Sequence, residues 1–184
     1  MVGCDVQPQT LPVMPKTLTY NASEQIQITA SSFGDGSNRS VLLLHGAGQT
    51  RHAWNGAANA LAADGWRAIS VDARGHGDSD WCPDGDYSIE RFIDDLKTVV
   101  DRISNESGQL PVVVGASLGG ITALLAQGES ERALFSALVL VDITPRIDSG
   151  GVAKILKFMR DHQNGFSTVQ EAVSYTHLTL PTKA

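Results

Sequence analysis

Gly115-Ala116-Ser117-Leu118-Gly119 sets a serine hydroxyl between two glycines. The apolar run Val112-Val113-Val114 precedes it and the helical stretch Ile121–Ala126 follows, so the spacing predicts a strand, a sharp turn and a helix. A side chain at either flanking position would collide with neighbouring backbone in so tight a turn, while the serine at its apex stands exposed. The chemistry this suits is nucleophilic attack by Ser117. A plainer role fits the same residues, with the serine capping the helix that follows. A serine nucleophile also needs a base at neutral pH, and the base needs an acid to orient it.

Two other segments carry reactive side chains. Val41-Leu42-Leu43-Leu44 is a short apolar run ending in His45-Gly46-Ala47-Gly48. Ile69-Ser70-Val71 runs into Asp72-Ala73-Arg74-Gly75-His76-Gly77-Asp78-Ser79, whose glycines and short polar side chains suit a self-bonded loop. Asp72, His76 and Asp78 sit within one short loop with no cysteine partner, whereas fixed zinc sites draw on more dispersed ligands. The expectation is a scaffold, with no metal and no cofactor. The glycine-rich turns lack the Lys-Ser/Thr of a phosphate loop, and no G-x-G-x-x-G follows the first strands.

Taken together, HG-x-G, D-x-R-G-x-G-x-S and G-x-S-x-G resemble the serine α/β-hydrolase family, over residues 18–172. The resemblance implies that backbone N–H groups of Ala47 and Leu118 form an oxyanion hole, where fixed donors stabilise the charge that acyl transfer places on a carbonyl oxygen. Leu118 opens a helix, whose dipole favours an anion. His45 is implied to shape the loop. The implied reaction is hydrolysis of a small carboxylic ester through an acyl-enzyme at Ser117. C–C bond hydrolysis, cofactor-free perhydrolysis and non-catalytic binding of a small ligand use the same parts. Epoxide hydrolases and dehalogenases of this resemblance carry Asp where this chain has Ser117.

The resemblance also implies the chain order serine, acid, histidine. Only His162 and His177 follow Ser117, and His162 lies in the polar run Arg160-Asp161-His162-Gln163-Asn164, expected as a solvated face. The catalytic histidine is therefore expected to be absent. Asp142, after the strand Ala137–Val141, stands where some relatives place the acid; a turn former before Pro145 is the alternative.

The elements that must position these residues read as follows. The first 17 or so residues are irregular; Leu18–Tyr20 and Gln25–Ala30 form a hairpin; Ala53–Ala63 is a helix and Arg67–Val71 a strand. Ile89, Phe92, Ile93, Leu96, Val100 and Ile103 recur on one face of a helix, with Ser88 as N-cap and Tyr87 stapled on Phe92. The later strands alternate with helices, predicting the N-terminal part of an α/β-hydrolase fold: a mostly parallel sheet, helices on both faces, last strands missing. Ala47, Ser117 and Asp142 all fall just past strand carboxyl ends, where such sheets bind ligands. Gly150–Asp161 and Thr168–Ala172 read as short helices of a cap beginning at about 145 and running to 172, with Ile155, Leu156, Phe158 and Met159 as its apolar face or as ordinary packing.

Residues 1–172 are expected to form the partial domain. Val173–Thr182 resembles a one-frame translation of a transposase-type sequencing-library adapter, so 173–184 is expected to be a tail outside the fold; a strand Tyr175–Leu180 carrying His177 is the competing reading. The expected consequence is an inactive, poorly soluble chain with an exposed edge at Ala137–Val141. A formal net charge of −6 over 184 residues argues against a nucleic-acid partner, and no run is long enough to cross a membrane. The expected partner is a small acyl substrate. Cys4 and Cys82 imply no disulfide framework, and without a signal segment the expected location is cytoplasmic.

Overall fold

The computed structural model describes residues 14–22, 26–36, 39–143, 149–162 and 164–179. The chain divides into two compact units, Met1–Ile143 and Thr144–Ala184.

The first unit is built on six strands: β1 (Lys16–Asn21), β2 (Gln27–Phe33), β3 (Ser40–Leu44), β4 (Arg67–Val71), β5 (Val112–Ala116) and β6 (Ala137–Val141). Their spatial order is β1-β2-β4-β3-β5-β6. The hairpin β1–β2 is antiparallel and joins β4 antiparallel, while β4, β3, β5 and β6 run parallel. Parallel neighbours require crossovers, supplied by α1 (Asn55–Ala63), α2 (Ile89–Ser107) and α3 (Leu118–Gly128). A 3-10 turn, Arg51–Trp54, leads into α1.

Helices cover both faces, as the alternation of elements predicts. On one face, Leu42, Ile69 and Val113 pack with Ile93, Leu96 and Ile103 of α2 and Ala123 and Ala126 of α3. On the other, Val41, Leu43 and Ala68 pack around Ala58 of α1. β3 is buried at all five positions, as a central parallel strand must be. α2 buries the apolar positions read from its periodicity except Ile89, which is half-buried, and adds Val99. It stops at Gly108, whose φ of 70° suits a left-handed cap and whose N–H bonds the Ser104 carbonyl.

Several local expectations are corrected. Ser88 occupies the N-cap of α2 but its side chain makes no capping bond; its amide donates instead to Asp86 Oδ1 at 3.0 Å. Tyr87 also lies over Gly75, a contact the expected staple does not include, and its hydroxyl accepts the Cys82 amide at 3.0 Å. β1 and β2 extend beyond the residues expected, because Lys16 and Thr17 pair through backbone with Ser32 and Ser31, which hydropathy does not report.

In the second unit, α4 spans Ser149–Asp161 and α5 spans Val169–Thr179. α5 passes through Ala172 and Tyr175 to Thr179, so the described residues of the competing strand reading are helical; Leu180 lies outside the described residues. His162 is also corrected: it is half-buried, its ring 4.5 Å from Phe166 and 4.8 Å from Phe158, rather than on a solvated face. Pro145, residues 1–13 with Cys4, and residues 180–184 lie outside the described residues, as do the side chains of Ile155, Leu156, Met159 and His177.

Candidate active site

Ser117 sits at the apex between β5 and α3 with φ 45° and ψ −112°. That is a conformation L-residues rarely adopt. Its amide donates to the Val141 carbonyl at 3.2 Å, and its carbonyl accepts the Ile121 amide at 2.9 Å. Although it is the N-cap residue, its side chain makes no capping bond, and the residue is exposed. The hydroxyl is therefore not committed to the helix, which removes the plainer role for it.

The glycines are there because the backbones touch. A Cβ at Gly115 would lie 2.6 Å from the Gly120 nitrogen, and one at Gly119 would lie 2.5 Å from Leu44 Cβ and 2.8 Å from the Leu44 carbonyl. Gly120, which the motif does not include, is equally constrained: its Cβ would meet the Gly115 carbonyl oxygen at 2.8 Å. α3 thus starts in direct contact with the end of β3. Leu118, the first residue of α3, is half-buried, and its N–H has no acceptor within the helix.

The loop after β3 comes up against this turn. A Cβ at Gly46 would stand 3.4 Å from Ser117 Cβ. The loop is held at both backbone groups of Gly46. Gln49 accepts the Gly46 amide on Oε1 at 3.0 Å and returns its own amide to the Gly46 carbonyl at 3.2 Å. His45 Nδ1 lies 2.8 Å from the same carbonyl. A carbonyl only accepts, so Nδ1 carries the proton, and Nε2 is left to accept the Ala73 amide at 3.0 Å. Burial lowers the His45 pKa, consistent with this neutral ring. In a trans peptide C=O and N–H point opposite ways, so tying the Gly46 carbonyl to His45 and Gln49 turns the Ala47 N–H away from them. Ala47 itself is exposed. His45 is a loop-shaping residue by its bonds. Gln49 was not singled out from the sequence, since nothing in its type distinguishes it from a surface glutamine.

Asp72, His76 and Asp78 are committed to the scaffold. Asp72 is fully buried and pairs with the Arg51 guanidinium, while its Oδ1 accepts the Arg51 amide at 2.6 Å and its Oδ2 the Asp78 amide at 3.0 Å. Arg51 reaches Asp78 at 2.7 Å and Ser31 at 3.0 Å. Arg74 lies wholly buried, with Nε and Nη2 each 2.7 Å from the two oxygens of Asp95. Such buried carboxylates demand a cation, which accounts for Arg51 and Arg74 here; the sequence around Arg51 does not announce the role.

Asp142 follows β6 with φ 53°, a turn conformation that Asp tolerates, and it is exposed. The Ser117–Val141 bond brings its backbone beside the serine turn. Behind Leu118 lies an apolar cavity of about 50 Å³, between Val99 and Leu96 of α2, Thr122 of α3 and Leu44. No group of residues with metal-holding geometry occurs among the described residues. No described helix is long and apolar enough to cross a membrane.

Residues 36–168 match the family model described as serine aminopeptidase, S33. An esterase of Mycobacterium tuberculosis, Rv0045c, is 39% identical over 118 residues, 64% of this chain and 37% of its own length. The mouse sn-1-specific diacylglycerol lipase ABHD11 is 34% identical over 133 residues, 71% of this chain and 38% of its own. Among solved structures, an α/β hydrolase from Novosphingobium aromaticivorans superimposes with a TM-score of 0.67 at 26% identity, covering 78% of this chain and 49% of that one. A thermophilic esterase from Thermogutta terrifontis gives 0.62 at 26% identity, covering 76% and 50%. The chain thus spans a little over a third of the length of these curated relatives. The match over most of the chain, on a sheet of the same architecture, makes this protein a member of the serine aminopeptidase S33 family of α/β-hydrolases.

Proposed function

We propose that the protein is a carboxylic-ester hydrolase with Ser117 as nucleophile. Ser117 Oγ attacks the acyl carbon, the carbonyl oxygen becomes an oxyanion held by the Ala47 and Leu118 amides, and the alcohol leaves with a proton. Water then hydrolyses the acyl-enzyme to the carboxylate and regenerates Ser117. The observation that carries this reading is the apex geometry: a strained, uncapped, exposed serine against the Gly46 loop. The names of the esterase and lipase relatives favour an oxygen ester over a peptide bond.

No residue of this chain is assigned as the proton-carrying histidine. Asp142 is the candidate to orient such an imidazole, because its backbone lies beside Ser117. In the intact protein, short-chain p-nitrophenyl esters should turn over and Ser117→Ala should abolish that turnover. Preferential cleavage of aminoacyl p-nitroanilides would replace the ester reading by a peptidase one. Ester turnover that survives Ser117→Ala would overturn the assignment of the nucleophile.

A further inference from the structure

His45 and His76 exchange hydrogen bonds between the two loops that follow β3 and β4. His45, in the first loop, keeps its Nδ1 proton on its own loop's Gly46 carbonyl and accepts Ala73 of the second loop on Nε2. His76, in the second, has Nδ1 3.0 Å from its own loop's Arg74 carbonyl, so that nitrogen carries the proton. Its Nε2 accepts the Gly48 amide of the first loop at 3.3 Å. The rings face one another at 5.0 Å, tilted by 54°. Each imidazole thus spends its proton at home and its lone pair abroad, and each crossing bond exists only while that ring is neutral.

The Gly48 bond holds the far side of Ala47 from outside the loop. Gly48 has φ 72°, so the chain reverses there, and the Ala47–Gly48 peptide is fixed by His76 just as the Gly46–Ala47 peptide is fixed by His45 and Gln49. We infer that His76 is a positioning residue for the oxyanion-binding loop, holding Gly48 so that the Ala47 N–H keeps its aim. This rests on the reading of Ala47 as an oxyanion donor.

The test compares the intact protein with its His76→Ala and His76→Gln variants, the last retaining an acceptor on its side chain. Phosphonylation of Ser117 by a fluorophosphonate is resolved into probe affinity and the rate of the covalent step, and thermal unfolding checks that each variant is folded. His76→Ala is expected to slow the covalent step about tenfold or more with little change in affinity, and His76→Gln to recover most of it. A covalent step at the wild-type rate in a folded His76→Ala protein overturns the inference, as does a folded His76→Gln protein no faster than His76→Ala. Absence of labelling in wild type would instead defeat the reading of Ser117. The tie is then decided by nitrogen-15 spectra of the His76 ring. A proton on Nδ1 with a bare Nε2, and a Gly48 amide that shifts in His76→Ala, support it; the reverse tautomer with an unmoved Gly48 overturns it.

Discussion

Ser117 holds a backbone conformation that costs of order 1–3 kcal/mol for a non-glycine residue. That strain is the local expense of standing a hydroxyl at the top of the turn instead of folding it onto the α3 amides. Ser117→Gly should consequently raise stability by about 1 kcal/mol once glycine's own entropy cost is included, while removing any covalent chemistry. Urea unfolding of the two proteins measures it, and a Ser117→Gly protein less stable than wild type contradicts the strain. His45 offers a pH signature. Its folded pKa lies below the unfolded value of about 6.5, so in the window beneath that value the unfolded chain binds a proton that the folded chain refuses. Its contribution is complete above the unfolded pKa, begins to fall there, and is lost as pH falls through the lower folded pKa. Stability should therefore decline on acidification below about pH 6.5, and less steeply in His45→Gln. Equal slopes in the two proteins would contradict a buried neutral ring.

At the scale of elements, the joint between α3 and β3 is set by contact of backbones rather than side chains. Gly119→Ala would drive a methyl group into Leu44, whose carbonyl belongs to the most buried strand and cannot yield. The expected loss is about 1–3 kcal/mol, read from chemical denaturation; a loss within about 0.5 kcal/mol would mean that the joint is looser than described. Elements announced by periodicity or by a motif were legible in the sequence, as α2 and the Ser117 turn show. What stayed hidden depends on distant partners. Arg51 finds Asp72, and Arg74 finds Asp95, each across 21 residues. Ser88 carries the right residue type for a cap, yet Asp86 takes the bond to its amide. Pairing of the polar strand β1 depends on main-chain groups, which every residue possesses equally.

Across the whole sheet, β6 is an outer strand paired only with β5. Leu138 packs towards the α2–α3 core, while Val139 and Val141 on the alternate face are 47% and 38% exposed. An apolar edge of this kind invites strand-to-strand association. Val139→Lys should reduce self-association in analytical ultracentrifugation without lowering the unfolding midpoint; unchanged sedimentation would show that the edge is not the adhesive surface. The same sheet brings the ends of β3, β5 and β6 to one side, where a Cβ at Gly46 would stand 3.4 Å from Ser117 Cβ and the Ser117 amide bonds the carbonyl of Val141, next to Asp142. The claim that depends most on this convergence is that Ser117 is a nucleophile. Reaction of the intact protein with a fluorophosphonate, followed by peptide mass spectrometry, tests it most directly. The account predicts one adduct, on Ser117, that disappears in Ser117→Ala; no adduct, or one that persists in Ser117→Ala, would contradict it.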